Sequence, residues 1–443
     1  MTIDTAPPPL GRADLDTIDI HSVGKYMREG YPWAEWDLLR REAPMYWYDR
    51  PGIEPFWAFT RYEDVHRIGR DARRFVNGGS RLRLASSRHD QRMWEVKAKR
   101  DELYGWDPAE PFDMVYMDSP RHLAFRSIVN RAFTPVRCRR MADTLAQHSK
   151  RFADEFEAAL RDAGPGEPVD LVDHLAVKLP LGTICEMMGV PVDDYADIWR
   201  WTDSQFDSNS MVWAKPGEER ADMRRRLRQE YHAYIDDLIA RKRVEGGDDL
   251  AATLVNASLE DGGPLTQQQL HGYLSLLIGA GNETTRNATT RGLLALIEHP
   301  DQMALLVSEP GRHVETAVEE ILRWTSPVIQ FARTATEDVV MYDQTISAGQ
   351  TVGIWYPSAN RDETMFDEPY RFDITRDPNY HLAFGHGPHF CLGANLARWE
   401  LRAMFDELSN RPWLTELRTA GPPTWLVDLH VGAIQHQPVA LGG

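Results

Sequence analysis

A single cysteine, where a glycine-rich loop meets a helix, is the residue best suited to chemistry in this sequence. Cys391 lies in the stretch Phe384–Gly393, in which two glycines and a proline predict a tight loop before apolar residues at helical spacing. The free N–H groups and positive dipole at a helix start should lower the pKa of its thiol. A lone thiolate makes a poor zinc site but suits a single axial bond to haem iron. An ordinary buried cysteine is the alternative.

A long helix with a polar interruption is the second feature. The segment Thr266–His299 has capping-box spacing at its start and a proline after its end, which predicts one helix of roughly 50 Å. Its middle, Gly279–Thr285, places two glycines and several polar side chains inside an otherwise apolar stretch. Close packing of small residues, with a threonine bonded to a main-chain carbonyl, would explain this pattern, and so would a functional site.

Two polar pairs at helical spacing complete the candidates. His122 and Arg126 are four residues apart and share one face of a predicted helix. Glu320 and Arg323 are three apart and could form an ion pair within a helix. Taken alone, the first pair would be solvated side chains, and a surface ion pair would contribute little stability.

These motifs together resemble the bacterial, soluble members of the cytochrome P-450 family. The cysteine stretch has every fixed position of the family signature Phe-Gly-x-Gly-x-His-x-Cys-x-Gly. Residues 280–284 match its oxygen-binding signature Ala/Gly-Gly-x-Asp/Glu-Thr, and residues 320–323 match its Glu-x-x-Arg motif. The motifs follow the family's order over about residues 30–440.

The resemblance implies a haem b cofactor and the residues that hold it. Cys391 would be the iron ligand, in a loop that includes Phe384 and Gly385, and Gly281 would let the long helix bulge over the iron. The side chains that would hold the haem propionates are those of His122, Arg126, Arg333 and His389.

The resemblance also implies catalytic, substrate-binding and structural residues. Glu283 and Thr284 would form an acid–alcohol pair that relays protons to the dioxygen being reduced. The residues expected beside the substrate are Ala280, Val328, Ile329, Phe331 and Leu429. The residues expected to brace the cysteine loop as an ion-pair cluster are Glu320, Arg323 and Arg371.

For the fold, we expect a mainly α protein with a smaller β region, the cytochrome P-450 fold. Residues 21–443 should form a single large domain after a mobile, extended tail over residues 1–20, because no linker or repeat divides the chain. Aromatic runs at 45–48 and 56–59 predict a β-hairpin. The polar stretch 80–112 reads as a long connection with a short helix near 93–103.

Composition limits the partners and the cellular compartment. A formal net charge of −17 argues against binding of nucleic acid or anionic membranes. Three dispersed cysteines suit a reducing cytosol, and no signal peptide or membrane anchor is visible, so we expect a cytoplasmic monomer. No dinucleotide fingerprint occurs, so the electrons should come from a separate ferredoxin and reductase.

The predicted activity is a haem-thiolate monooxygenase that uses O₂ and two electrons to hydroxylate a hydrophobic small molecule. The resemblance is strongest to the branch that acts on steroids, terpenoids and methyl-branched lipids. A peroxide-using haem-thiolate enzyme and a non-enzymatic haem sensor or carrier are the alternatives. The ferredoxin is expected to dock on a basic cluster formed by Arg131, Arg137, Arg139, Arg140, Arg398 and Arg402.

Overall fold

The structure, a computed structural model, describes residues 9–79, 81–206, 211–259, 262–426 and 428–442. Its α-helices are α1 (Val23–Glu29), α2 (Trp33–Glu42), α3 (Tyr62–Arg70), α4 (Ser87–Tyr104), α5 (Arg121–Asn130), α6 (Pro135–Arg139), α7 (Ala142–Ala163), α8 (Lys178–Met187), α9 (Tyr195–Phe206), α10 (Arg220–Glu245), α11 (Leu250–Val255), α12 (Gln267–Glu298), α13 (Pro300–Ser308), α14 (Val314–Thr325), α15 (Tyr356–Ala359) and α16 (Ala394–Ser409).

The strands are short by comparison. They are β1 (Tyr46–Tyr48), β2 (Phe56–Phe59), β3 (Phe75–Val76), β4 (Val169–Asp170), β5 (Gln330–Ala335), β6 (Val339–Met341), β7 (Gln344–Ile346), β8 (Thr351–Trp355), β9 (Leu417–Thr419), β10 (Thr424–Trp425), β11 (Ile434–His436) and β12 (Pro438–Leu441). The prediction of a mainly α fold with a smaller β region is confirmed. None of the described helices is both long and apolar enough to cross a membrane.

Helix α12 contacts both large apolar clusters of the molecule. The predicted capping box forms, because Thr266 Oγ1 accepts from the Gln269 N–H at 3.2 Å and Gln269 Oε1 accepts from the Thr266 N–H at 2.9 Å. Leu274 in its first half packs in a cluster with residues of α8 and α10, and Leu293 in its second half packs with residues of α14 and α16. The polar middle of α12 therefore lies between these clusters.

The largest sheet carries one wall of the candidate site. Its strand order is β1-β2-β8-β5-β3, and β1 and β2 form the predicted antiparallel hairpin. Strand β8 pairs in parallel with β2 and antiparallel with β5. Successive side chains alternate along a strand, so Phe331 and Arg333 of β5 share one face.

The described part of the predicted N-terminal tail is folded rather than extended. Residues Arg12–Thr17 form a 3₁₀-helix, and Ile18 and Ile20 are buried in a cluster that includes Trp36. Burial of each isoleucine contributes roughly 1.5–3 kcal/mol, enough to offset the ordering of a few residues. Residues 1–8 of that tail lie outside the described residues.

The polar stretch after residue 80 contains more helix than the sequence suggests. Helix α4 spans Ser87–Tyr104 rather than 93–103, with the Ser86 side chain accepting from the His89 N–H at its start and Gly105 in the left-handed region, φ +64°, at its end. The Lys97 ammonium and Asp101 carboxylate form a buried ion pair. Helix α4 thus buries charged side chains where an amphipathic helix buries apolar ones. The spacing of apolar residues therefore does not reveal its full length.

The structure changes one predicted member of the ion-pair cluster around Glu320. Arg323 Nε and Nη2 each lie 2.7 Å from the carboxylate of Glu320, and both residues are fully buried. Arg371 instead has a 57% exposed side chain that pairs with Glu368 at 2.9 Å. Arg376 takes its place, with Nε 3.2 Å from Glu320. A turn capped by the Asp373 side chain reverses the chain between the two arginines.

Candidate active site

A cavity lies between α12, β5 and the loop that precedes α16. Segments distant in the sequence contribute its lining, including α5, the middle of α12, β5 and the start of α16. Apolar side chains form most of the lining, and a group of histidines and arginines forms the rest. Cys391 faces this cavity, and it is the one free cysteine among the described residues whose side chain is accessible. That access is to the inside of the cavity, where the surrounding protein still shields the thiol from bulk water.

The cysteine loop is held in shape by its glycines and by main-chain bonds. Gly385 and Gly387 have φ of +69° and +79°, in the region that favours glycine. A Cβ on Gly387 would lie 2.2 Å from the carbonyl oxygen of Gly69, so any side chain there would push the loop off α3. The Cys391 N–H donates to the Phe384 carbonyl at 2.9 Å, which closes the loop and fixes the thiol's direction.

The environment of the thiol differs from the expectation of a lowered pKa. Burial raises the pKa of Cys391, and the N–H groups of Gly393 and Ala394 and the charges of Arg126 and Arg398 only partly oppose that effect. The helix start therefore acts as predicted, but burial outweighs it. The other thiols are unsuited to ligation, since burial raises their pKa to about 11 and about 12.

A cationic wall faces the cavity beside the cysteine. His122, Arg126, Arg333 and His389, the predicted propionate residues, all line the cavity. The rings of His122 and His389 lie 4.0 Å apart. Burial, then the nearby Arg126, lowers the pKa of His122 to about 4. Burial, then His122, lowers the pKa of His389 to about 2.

The hydrogen-bonding capacity of this wall fits an anionic ligand. His122 Nδ1 is buried with no hydrogen-bond partner among the described residues. Arg333 is 4% exposed, and its bonds go to the carbonyl of Ala332 at 2.8 Å and to the Tyr356 side chain. Two ligand carboxylates would supply the missing acceptors, and haem carries two propionates. The wall, with a cysteine facing the same cavity, therefore fits haem.

Helix α12 presents Thr284 to the cavity and turns Glu283 away. Thr284 lines the cavity with its Oγ1 3.0 Å from the carbonyl oxygen of Ala280. Adjacent residues on a helix point about 100° apart, and the Glu283 carboxylate is buried against Arg286 and Asn287, with 2.9 Å to the Asn287 amide. The structure thus brings only the alcohol of the predicted pair to the cavity.

The structure gives a different reason for the presence of glycine at position 281 from the one predicted. Helix α12 is a continuous α-helix with no bulge at this position. A Cβ on Gly281 would lie 3.1 Å from the Ile184 side chain of α8, so the absence of a side chain permits close packing of α8 on α12.

Comparison with known proteins agrees with this geometry. A family model described as Cytochrome P450 matches residues 98–408. The chain belongs to the cytochrome P450 family. It is 36% identical to a methyl-branched lipid omega-hydroxylase of Mycobacterium tuberculosis, over 98% of this chain and 96% of that protein. It is 33% identical to a steroid C26-monooxygenase of Mycolicibacterium smegmatis, over 99% and 96%.

Solved P450 structures share the fold across nearly the whole chain. Cytochrome P450 CYP268A2 of Mycobacterium marinum, in complex with pseudoionone, has a TM-score of 0.81 and 34% identity, with 96% of this chain and 99% of that chain covered. CYP108D1 of Novosphingobium aromaticivorans also has a TM-score of 0.81, with 29% identity and 98% and 99% coverage. This P450 is therefore a haem-dependent monooxygenase with the single-domain family fold.

The predicted substrate residues of this P450 divide into two groups. Ala280, Val328 and Phe331 line the cavity. Ile329 and Leu429 do not, and they pack instead in the apolar cluster beneath the N-terminal segment. Ile329 precedes β5 and makes main-chain bonds to residues 430 and 356, so its side chain turns away from the cavity.

Sequence reasoning missed several polar residues of the cavity wall, of which Tyr356 and Glu400 bear most on its chemistry. Tyr356 lines the cavity and bonds to Arg333, and nothing in its local sequence marks it. Glu400 also lines the cavity, and burial raises its pKa to about 8, while bonds from Thr183 and Thr285 oppose that shift. A carboxyl within the apolar stripe of α16 was the signal that could have found Glu400.

Proposed function

We propose that this P450 hydroxylates a lipid-like or steroid-like hydrophobic molecule, with O₂ and two electrons from a ferredoxin-type donor, as a cytoplasmic monomer. The observation that carries the proposal is one cavity shared by a cysteine, a cationic wall, an apolar wall and a cavity-facing threonine. Haem b bound through the Cys391 thiolate supplies electron donation that favours O–O cleavage.

The protein's own groups bind, exclude water and position a proton. His122, Arg126, Arg333 and His389, which line the cavity beside Cys391, would hold the haem propionates. Apolar side chains from α12 and the segment before β5 exclude water from the reacting carbon. Thr284 places a hydroxyl at the cavity, where it donates to the Ala280 carbonyl oxygen at 3.0 Å and is available to pass a proton to a bound reactant.

The relatives support a terminal carbon as the site of hydroxylation. One is named for the omega position of methyl-branched lipids and another for C26 of steroids, and both names describe hydrocarbon ends. Ala280, Val328 and Phe331 line the cavity together, and their apolar side chains suit a hydrocarbon end. A chain end enters such a space more easily than a ring.

Peroxide-driven turnover is the second candidate, because one observation favours it. The Glu283 carboxylate is held by Arg286 and Asn287 rather than facing the cavity, so the acid half of the relay is not in place. An enzyme supplied with peroxide needs no such relay.

The test is product formation with defined oxidants. The haem-loaded enzyme should convert a methyl-branched fatty acid ester or a steroid with a side chain to a hydroxylated product when given NADH, a ferredoxin system and O₂. Product with hydrogen peroxide alone would favour the second candidate, and no product under either condition would indicate a haem sensor or carrier.

Cys391→Ser should abolish the red-shifted Soret band of the reduced CO complex, whereas Cys138→Ser should leave it. A Cys391→Ser variant with an unchanged band would refute the proposal.

For the electron donor, we propose a narrower docking surface than the sequence suggested. Arg131, Arg137, Arg139 and Arg140 are exposed and have no ion pair among the described residues. Arg398 and Arg402 instead pair with Glu319 and Glu315 of α14, so their positive charges are already matched by carboxylates. Helix α6 packs on α16, the helix that follows the cysteine, so the free arginines lie near the thiolate side.

Charge reversal tests this docking surface. Arg139→Glu with Arg140→Glu should slow ferredoxin-driven reduction at low salt and weaken its salt dependence, because steering acts mainly on association rate. Reduction by dithionite and substrate binding should be unchanged. Equal ferredoxin-driven rates for variant and wild type at low salt would place the donor elsewhere.

A further inference from the structure

A buried arginine on α12 connects the N-terminal part of the chain to a turn near its C-terminus. Arg291 is 7% exposed, and its Nη1 donates to the Tyr31 hydroxyl at 2.6 Å and to the Gly432 carbonyl at 3.2 Å. Both bonds leave α12, so one side chain joins three parts of the chain that are distant in the sequence.

Two aromatic rings fix the direction of the Arg291 guanidinium group. Its central carbon lies 4.8 Å from the centre of the Tyr31 ring and 5.8 Å from that of Trp425. Trp425 belongs to β10, which precedes the same turn. A guanidinium group is planar and carries its N–H donors in fixed directions, so the rings that stack on it also orient its bond to Gly432.

The turn itself, residues 428–433, which we call the C-terminal turn, fits closely against Tyr31 and α12. A Cβ on Gly432 would lie 1.8 Å from the Tyr31 hydroxyl oxygen, so a side chain cannot be accommodated there. Just after the turn, the Ile434 N–H donates to the side-chain oxygen of Asn287 at 2.9 Å. Asn287 lies four residues before the arginine, on the same face of α12. That face therefore fixes the place of the C-terminal turn.

The C-terminal turn is joined to the apolar wall of the cavity. Val431 pairs with Val328 in an antiparallel bridge. The His430 carbonyl accepts from the Ile329 N–H at 2.7 Å, and the His430 ring lies 4.6 Å from that of Phe331. Val328 and Phe331 both line the cavity. A shift of the turn must therefore move the wall against which a substrate lies.

We propose that Arg291 and Tyr31 are positioning residues that determine which carbon of the substrate this P450 oxidises. Neither side chain is among the described residues that line the cavity, so both act through the C-terminal turn and not by touching the substrate. A displacement of about 1 Å at a reacting centre changes rates by as much as about 10²-fold, so the place of this wall decides between neighbouring carbons. The inference rests on the proposed function where it names a substrate carbon.

The first measurement compares two ligands of haem iron that differ in size. Imidazole and 1-phenylimidazole both shift the Soret band of a haem-loaded P450, but only the second has a phenyl ring that needs the apolar wall. In Tyr31→Phe, which removes the acceptor of the Arg291 bond, we expect affinity for 1-phenylimidazole to fall about 2–10-fold, as the loss of one hydrogen bond produces. Affinity for imidazole should be unchanged. Arg291→Gln should change the same ratio by more.

Tyr26→Phe is the matched control. Tyr26 is buried in the same apolar cluster as Tyr31, but its hydroxyl donates to the Ile20 carbonyl at 3.0 Å and makes no bond to α12. Each tyrosine variant loses one buried hydrogen bond, so the unfolding temperatures of the two should fall alike. Only Tyr31→Phe should change the ratio of the two azole affinities. An equal change in Tyr26→Phe would show that any loosening of the N-terminal segment moves the wall, which would overturn the inference.

The second measurement is the position of hydroxylation on a methyl-branched fatty acid ester. The ratio of product oxidised at the chain end to product oxidised at the next carbon should fall about 2–10-fold in Tyr31→Phe and stay unchanged in Tyr26→Phe. If the wild type forms no hydroxylated product, the proposed function fails, and the azole ratio alone decides whether the wall depends on Arg291. Azole ratios equal to that of the wild type in both Tyr31→Phe and Arg291→Gln would refute the inference. Tyr31→Phe keeps its ring in the cluster, so it serves as the test even where Arg291→Gln does not fold.

Discussion

Two buried arginines of this P450, Arg323 and Arg333, differ in what satisfies them. Arg323 is fully buried and donates to both carboxylate oxygens of Glu320 at 2.7 Å and to the carbonyls of residues 360, 369 and 371. Arg333 is almost as buried, yet it has one neighbouring carbonyl and a tyrosine hydroxyl as acceptors. A guanidinium group has five N–H donors, so most of those on Arg333 have no partner among the residues that the structure describes.

The difference separates structural cations from binding cations. A buried charge that the chain itself satisfies holds elements together, and Arg323 links α14 to the segment before the cysteine loop. A buried charge without protein acceptors raises the energy of the unliganded fold and recovers that energy when a ligand binds. Arg333 belongs to the second kind, and the neutral rings of His122 and His389 beside it leave its charge unmatched.

The matched substitutions Arg323→Gln and Arg333→Gln should therefore act on different properties. Arg323→Gln leaves the Glu320 carboxylate buried and unpaired, and we expect a loss of about 3–5 kcal/mol in unfolding free energy with little folded protein recovered. Arg333→Gln should fold with near wild-type stability but release haem to apomyoglobin about 10–100-fold faster.

Two controls sharpen that comparison. Arg371→Gln, at the exposed position that the sequence had favoured, should change unfolding free energy by no more than about 0.5 kcal/mol. Arg376→Gln should destabilise clearly, because its side chain contacts Glu320. A fall in stability for Arg333→Gln as large as for Arg323→Gln, with haem release unchanged, would contradict the distinction.

Thr284 and Glu283 differ in the same way as Arg333 and Arg323, in whether other protein groups satisfy the side chain. The carboxylate of Glu283 is satisfied by Arg286 and Asn287, whereas the Thr284 hydroxyl bonds only to its own helix and faces the cavity. Thr284→Ala should keep haem and substrate binding but divert reducing equivalents to hydrogen peroxide, lowering product formation by about 10²–10⁴-fold.

The measurement is the ratio of product formed to NADH consumed, with peroxide assayed in parallel. Thr285→Ala is the matched control, because Thr285 also lines the cavity but its bond goes to Glu400. Unchanged coupling in Thr284→Ala would exclude it as the proton donor, and a loss confined to Thr285→Ala would move the relay to Glu400.

Much of this architecture could be predicted because its signals are local. The capping box of Thr266 and the apolar spacing after it predict α12 nearly to the residue, and the aromatic runs predict the β1–β2 hairpin. Helix α4 was predicted too short because it buries the Lys97–Asp101 pair rather than apolar residues. Patterns of hydrophobicity cannot show such a pair.

The residue types of the candidate site and their spacing along the chain could be predicted from the sequence. The direction in which each side chain points could not. Residue order places Glu283 beside Thr284 but does not say which one faces the cavity. The choice between Arg371 and Arg376 depends on a turn between them, and Ile329 faces away because it precedes the regular part of β5. Tyr356 reaches the cavity only through tertiary packing, which no local pattern encodes.

Glu319 is a partly buried carboxylate that the protein pairs with its own cations, and its contribution to stability should depend on pH. Burial raises the pKa of its carboxyl, but bonds from His381 at 3.1 Å and Arg398 at 2.8 Å outweigh burial and lower that pKa from 4.5 to about 2. The folded state thus favours the carboxylate, so its stabilising contribution is present above about pH 4.5 and is lost as the pH falls toward 2. That contribution is about 1–3 kcal/mol, nearer the lower figure because the carboxylate is partly exposed. Urea unfolding of wild type and Glu319→Gln should differ by this amount at about pH 7, by less than half of it at about pH 3, and should converge only at about pH 2 or below. Curves that stay equally far apart at both pH values would show that packing, rather than charge, is what Glu319 contributes.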